Sequence, residues 1–188
     1  MAGRLTSRDL AELHSPHPRV KYHRAKECIA LARDHPRWLS PYARTFVGLL
    51  QDENNILKWT AIDVLGYLSR VDTGRQVRRC MESLAGFLSG GQLITANHAI
   101  DAMAHVAMVR PRFRDRITQE LLNVECYSFE TEECKNIVLG KVIEAFDAMA
   151  DVVKTNPQVL GFVARQLKNT RPATQRKAER FMKRAGEH

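Results

Sequence analysis

The chain has 188 residues, 44% of them hydrophobic and 27% charged, with a formal net charge of +8. This length and apolar content allow one domain, residues 1–188, to bury a core without metals or disulfides, and they exclude global disorder. The apolar runs are too short to cross a bilayer and the first residues lack the apolar core of a secretory signal, so we expect a cytoplasmic protein without membrane insertion.

Apolar residues recur at helical spacing along nearly the whole sequence, and no segment alternates as a half-buried strand does. We therefore expect an all-α chain with about ten helices of one to two dozen residues each. Helix starts are expected at Ser40-Pro41 and Asn156-Pro157, where a capping side chain precedes a proline that needs no N–H. Another is expected at Thr131, because Glu132 and Glu133 follow it in the positive first turn. Gly90-Gly91 predicts a turn between two helices.

Every second predicted helix carries a small or branched residue that we take as the anchor of its repeat. The anchors are 36, 38, 43 and 36 residues apart, and the positions four and seven after each anchor are apolar in every repeat. These offsets share one helix face. Because one helix pair has apolar residues on both sides, neighbouring pairs must cover them, which predicts a stack of about five pairs. The anchors are Ala25, Ala61, Ala99, Val142 and Ala178.

Residues 48–68, GLLQDENNILKWTAIDVLGYL, resemble a HEAT repeat. An apolar helix leads to an acidic turn and a second helix, with Asp52 and Lys58 at the positions of the turn acid and the second-helix base. The resemblance covers residues 19–185 and is strongest in this segment. It implies an α-solenoid (α-α superhelix) of HEAT-like helix pairs, in which the second helices line a concave face and the first helices a convex one.

Charged residues lie one position before and two positions after several anchors, three residues apart on the same helix face. One interpretation is a ladder of charge pairs within and between repeats. Another is an acidic stripe that recognises a basic segment of a second protein. Catalytic carboxylates are the least favoured, because no nucleophile lies near them. The candidate concave-face contacts are Arg24, Glu27, Lys58, Asp63, His98, Asp101, His105, Lys141 and Glu144.

No metal site and no cofactor are expected. The four cysteines never form a CxxC pair. Cys28 and Cys80 lie among apolar residues of helical patterns, as reduced core thiols do. Metal binding or disulfide formation is the less favoured alternative. His98 and His105 are separated by about 10 Å along a helix, too far to share one ion. A hydrogen bond between Asp101 and His105, structural or pH-sensitive, is the alternative there.

The strongest functional signal is the basic C-terminal segment, residues 165–188, which has eight Lys or Arg and two acids and therefore a net charge of +6. Such a segment can hold phosphates, contact an acidic protein or membrane surface, or act as a solvated cap. No aromatic residue alternates with these bases, which disfavours single-strand binding. Arginines within residues 75–79 and 110–116 add further bases. The candidate phosphate or acidic-partner contacts are Arg165, Lys168, Arg171, Arg176, Lys177, Arg180, Lys183 and Arg184.

Residues 154–184, KTNPQVLGFVARQLKNTRPATQRKAERFMKR, are also similar to the C-terminal end of HEAT-like DNA-alkylation-repair glycosylases, with Asn-Pro, an apolar helix and a basic last helix. Those enzymes carry Trp and Asp groups in a concave cleft. Here Trp38 precedes Leu39 and Trp59 precedes Thr60, so the resemblance implies DNA contact rather than glycosylase activity.

The sequence contains no GxGxxG, Walker loop, HExxH or GxSxG motif. We therefore predict a non-enzymatic HEAT-repeat scaffold that mediates protein–protein interaction, with a protein partner and without a small-molecule substrate. The alternative is a module that binds duplex DNA, related to DNA repair, through the basic C-terminal segment.

Overall fold

The computed structural model describes residues 5–72 and 75–186, and over these residues the chain is all-helical, with no β-strand. The helices pack through long-range contacts as an all-α helical-repeat fold, which confirms the predicted fold class. The contacts divide the chain into two compact units, Met1–Ser83 and Leu84–His188. Within the described residues, no helix combines the length and the apolar content needed to span a membrane.

The first unit is built around two anchor helices. Its elements are α1 (Ser7–Ala11), α2 (Pro18–Asp34), α3 (Pro36–Leu39), α4 (Ala43–Leu49), α5 (Asn55–Leu68) and the first part of α6 (Arg75–Ser89), with 3-10 turns at Glu12–His14 and Ser40–Tyr42. Helix α2 packs against α5, and α4 packs against α5 as well. The anchors of these two helices, Ala25 and Ala61, are both buried, so small residues allow the close approach of α2 and α5.

The second unit repeats the arrangement with three anchor helices. Its elements after α6 are α7 (Leu93–Val109), α8 (Arg114–Asn123), α9 (Glu132–Ala148), α10 (Ala150–Val153), α11 (Pro157–Gln166) and α12 (Pro172–Gly186), with 3-10 turns at Pro111–Phe113 and Val124–Cys126. Helix α7 packs on α9 and α9 packs on α12, while α8 contacts α7 and α11 contacts α12. Within this unit, consecutive anchor helices are therefore direct neighbours, as the repeat pattern predicts.

Helices α9 and α12 run parallel. Near the start of both, the Thr174 hydroxyl donates to the Asn136 carbonyl at 2.7 Å. Near the end of both, Arg184 contacts Asp147 at 2.6 Å. Since the residue numbers of the contacts increase together on the two helices, equivalent positions of successive repeats lie side by side. This alignment lets a residue type that recurs in every repeat form a continuous row on the unit.

Helical segments begin at all three predicted starts, and two of these starts have a side-chain cap. The Asn156 side chain accepts hydrogen bonds from Gln158 N and Val159 N, and Thr131 accepts one from Cys134 N. At Ser40-Pro41 a 3-10 turn does begin and leads into α4, so the predicted start is present, but the predicted cap by Ser40 is wrong. Its backbone is already helical, because the 3-10 turn follows α3 directly, and its hydroxyl donates to the Arg37 carbonyl at 3.1 Å. A capping residue needs an extended backbone, so Ser40 caps no helix.

The predicted inward face is buried most completely in the middle repeats. Leu65, Met103 and Phe146, four residues after their anchors, are between 0% and 3% exposed. The equivalent Ile29 and Met182, on the first and last anchor helices, are only partly buried.

Candidate binding surfaces

The charged residues beside the anchors form a ladder of ion pairs on the second unit. The Lys141 ammonium lies 2.8 Å from the Asp101 carboxylate on α7 and 3.8 Å from Glu144 on its own helix. Lys177 on α12 then contacts Glu144 at 2.8 Å. The pairs between repeats that the ladder interpretation predicts are thus present in this unit. Because lysines neutralise Asp101 and Glu144, these two carboxylates do not form an open acidic stripe.

Arg24 is the centre of the corresponding charges on the first unit. Its guanidinium contacts Glu27 at 2.6 Å and Glu12 at 2.8 Å, and its side chain is only 14% exposed. These contacts tie the beginning of the chain to α2. The other candidate concave-face residues are half-buried: Lys58 and Asp63 on α5, and His98 and His105 on α7.

Half of the basic C-terminal segment is paired with acids of the preceding repeat. Arg165 makes two hydrogen bonds to the Glu125 carboxylate, at 2.9 and 2.6 Å. The other three pairs, each at 2.6–2.8 Å, are Arg171–Glu133, Lys177–Glu144 and Arg184–Asp147. These four bases hold α11 and α12 on the helices before them. Their positive charge is therefore compensated, and we regard them as structural rather than as open phosphate contacts.

The other four bases of this segment remain exposed: Lys168, Arg176, Arg180 and Lys183. None of them forms an ion pair with another residue that the structure describes. Lys168 lies in the turn before α12, whereas the other three lie on α12 itself at intervals of four and three residues, on successive turns. We call Arg176, Arg180 and Lys183 the α12 cation row.

The arginines within residues 110–116 make local contacts. Arg114 donates to the carbonyl of Ala107 at 3.0 Å and so caps the end of α7. Arg112 stacks its guanidinium over the Phe113 ring, 4.8 Å from the centroid. Arg116 lies 4.0 Å from Glu120. These residues stabilise the α7–α8 connection, which sequence reasoning treated only as additional positive charge.

Exposed apolar residues that were not predicted from the sequence recur on the anchor helices. Val20, Ile56 and Ile94 are 39%, 38% and 51% exposed, and each lies five residues before its anchor. The same offset in the next two repeats gives Ile137 and Ala173, both partly exposed. We call these residues the apolar row, of which two lie in the first unit and three in the second. The anchor alignment contains this signal, but an apolar residue in a helical pattern is normally assigned to the core.

The apolar row and the ladder share one face of each anchor helix. The row residues lie five positions before the anchor, and the ladder residues lie one position before and two positions after it. Neighbouring positions in this set are four or three residues apart, so all of them lie on one side of the helix. Within the first unit this face carries Val20 and Ile56 on the packed helices α2 and α5. Within the second it carries Ile94 and Ile137 on α7 and α9, beside Lys141 and its acids.

The cysteines are consistent with the predicted core thiols. Cys28 and Cys80 are buried, at 0% and 1% exposure, and none of the four cysteines forms a disulfide. Burial disfavours the thiolate and raises the pKa of both Cys28 and Cys80 to about 12. Neither thiol is activated as a nucleophile. Among the residues that the structure describes, no three His, Cys, Asp or Glu side chains are grouped as metal ligands.

The chain is similar to an engineered protein with a solved crystal structure, at 14% sequence identity and a TM-score of 0.48, over 96% of this chain and 98% of that one. No family model matches the sequence, and no curated protein matches it.

Proposed function

We propose that the chain is a non-catalytic helical-repeat scaffold that binds a protein partner on the shared face of its anchor helices. The observation that carries this proposal is the apolar row, in which Val20, Ile56 and Ile94 keep 38–51% of their surface exposed at the same register. Exposed aliphatic side chains at a repeated position add little to folding, whereas a partner that covers them gains their burial.

The free energy available on this face suits a protein interface. Full burial of one such side chain contributes about 1.5–3 kcal/mol, so covering the exposed 40–50% of Val20, Ile56 or Ile94 contributes roughly 1 kcal/mol each. The ion pairs of the ladder lie beside the row and supply a polar rim, which is the usual composition of a protein–protein interface.

The spacing of the apolar row sets the distance between the apolar side chains that a partner must present. Packed helices lie about 8–10 Å apart, so neighbouring row residues within one unit are separated by about that distance. A partner segment that places apolar side chains about 10 Å apart matches Val20 with Ile56, and Ile94 with Ile137. Three residues of extended chain, or two turns of helix, span this distance.

The proposal is tested by photo-crosslinking. A photoreactive phenylalanine analogue replaces Ile94 in one variant and Gln119, an exposed α8 residue of the same unit, in the control. We expect a discrete protein adduct from position 94 and none from position 119. The Ile94→Asp substitution should reduce recovery of that protein at least about 10-fold, which corresponds to about 1.4 kcal/mol, whereas Gln119→Asp should not. Equal adducts at both positions, or equal recovery by both Asp variants, would refute the proposal.

A further inference from the structure

The α12 cation row adjoins the anchor-helix face on the last anchor helix, because Arg180 lies two residues after the anchor Ala178. Lys177 and Arg184 reach back to Glu144 and Asp147 on α9, and these contacts fix the orientation of α12. A helix turns about 100° per residue, so Arg176, Arg180 and Lys183 lie about 60–120° around the axis from Lys177. All three side chains of the row are exposed.

We propose that the α12 cation row binds the phosphate backbone of duplex nucleic acid. The rise of the helix separates Arg176 from Arg180 by about 6 Å and from Lys183 by about 10 Å. One strand of a duplex carries a phosphate about every 3.4 Å along the axis, so the row spans about three phosphates. The bases are open to such a ligand because none pairs with an acid among the described residues.

An acidic protein fits this surface less well. A stable protein interface needs a buried apolar or aromatic centre. The shallow groove along α12 is lined by Ala173, Lys177 and Glu179 together with Arg176 and Arg180, and none of these offers a large apolar side chain. Exposed ion pairs alone add little net free energy. Basic side chains that bind the phosphates of a nucleic acid need no apolar contact, because this binding gains free energy from the release of condensed counterions.

Duplex is favoured over single-stranded nucleic acid for a related reason. Single strands are held by stacking their bases on aromatic rings. The groove along α12 has no aromatic residue in its lining, and Phe181, the aromatic residue of this helix, is buried at 2% exposure. A row of charges contacts phosphates and carries no sequence information, so the binding is independent of base sequence.

Glu179 provides an internal check. It is exposed, it lines the same groove, and it lies one turn from Arg176 and from Lys183. Its negative charge repels a phosphate backbone and reduces the potential of the row. Glu179→Gln therefore strengthens duplex binding if the row is the site, by a few-fold, and has no effect if the duplex binds elsewhere.

The experiment is a fluorescence-anisotropy titration of a labelled 20-base-pair duplex with the full chain between 50 and 200 mM NaCl. Three phosphate contacts predict a slope of about −2.7 for log affinity against log salt, so the affinity falls about 40-fold over this range. The triple variant Arg176→Gln, Arg180→Gln and Lys183→Gln should lose this binding. The control Arg19→Gln, Lys26→Gln and Arg44→Gln changes the charge equally at exposed positions of the first unit and should retain it.

Four results would overturn the proposal: no binding at 50 mM NaCl, equal loss in the control variant, equal affinity for a single strand of the same length, or equal competition by polyglutamate. Circular dichroism of each variant checks that it is folded. If the triple variant does not fold, Glu179→Gln decides the matter, because its gain in affinity requires a folded site. Failure of the protein interface on the anchor-helix face leaves these outcomes unchanged, since the two surfaces share no tested residue.

Discussion

The close approach of α9 and α12 predicts that Gly140→Ala destabilises the protein, although alanine is the better helix former. A Cβ atom at Gly140 would lie 2.6 Å from the Thr174 hydroxyl, which is shorter than any van der Waals contact allows. Thr174 is fully buried and donates to the Asn136 carbonyl at 2.7 Å, so the hydroxyl has no free space into which to move. Glycine at 140 is therefore required for this hydrogen bond between helices.

The magnitude follows from three opposing contributions. Replacing glycine by alanine inside a helix gains about 1 kcal/mol. Displacing the Thr174 hydroxyl loses a buried hydrogen bond, about 1 kcal/mol, and overpacking of the helix contact costs about 1–3 kcal/mol. The expected net destabilisation is about 1–3 kcal/mol. For a chain of this size it lowers the melting temperature by roughly 2–10 °C.

Urea denaturation followed by circular dichroism measures this effect, with Gly86→Ala as the matched control. Gly86 lies in α6 and a Cβ atom there meets nothing within 4 Å, so alanine should stabilise by about 0.5–1 kcal/mol. Adding Thr174→Ala to Gly140→Ala removes the overlapping oxygen, and the double variant should show a favourable coupling of about 1 kcal/mol or more. A Gly140→Ala variant that is as stable as Gly86→Ala would refute the reasoning.

Three further predictions concern stability. Asn156→Ala removes the cap of α11 and should lower the free energy of unfolding in urea by about 1 kcal/mol. Ser40→Ala, at a position that caps no helix, should lower it clearly less. Equal losses in the two variants would contradict the assignment of the caps. Because the pKa of Cys28 and of Cys80 is raised to about 12, the folded state keeps both thiols protonated while the unfolded chain loses these protons above pH 9. Stability should therefore fall above pH 9 by about 1.4 kcal/mol per pH unit for each thiol, and Cys28→Ala should halve the slope that the two thiols contribute. Lys141→Met breaks its contacts with Asp101 and Glu144, which are 50% and 45% exposed, so the loss should be only about 0.5–1 kcal/mol and should shrink at 1 M NaCl.

The repeat frame was accessible from sequence because it depends on local periodicity. All five anchors are buried, and each lies on a helix that packs against another anchor helix of its own unit. Side chains spaced by one helical turn point in one direction whatever the tertiary structure is, so the buried face of a regular helix can be predicted from spacing alone. The helix start at Thr131 and the cap at Asn156 were predicted for the same reason, since both depend on residues within one turn.

The candidate surfaces were only partly accessible from sequence. The net charge of +6 in residues 165–188 is a property of the sequence. It does not show that four of these bases form ion pairs with acids: Arg165, Arg171, Lys177 and Arg184. Their acid partners lie at least 33 residues earlier in the chain, and Glu125 is 40 residues before Arg165. Likewise, the apolar row looks like core in sequence, because exposure depends on which neighbouring helix covers a position.

The sequence by itself determined the all-α class, the anchor register, three helix starts and the total charge of each segment, because these depend on residue type and on spacing within one or two turns. Only the tertiary structure decided which bases of the C-terminal segment are open, which apolar residues remain exposed, and where glycine is needed between α9 and α12. These properties arise from side chains that are distant in sequence and meet only when helices pack, so no local pattern encodes them.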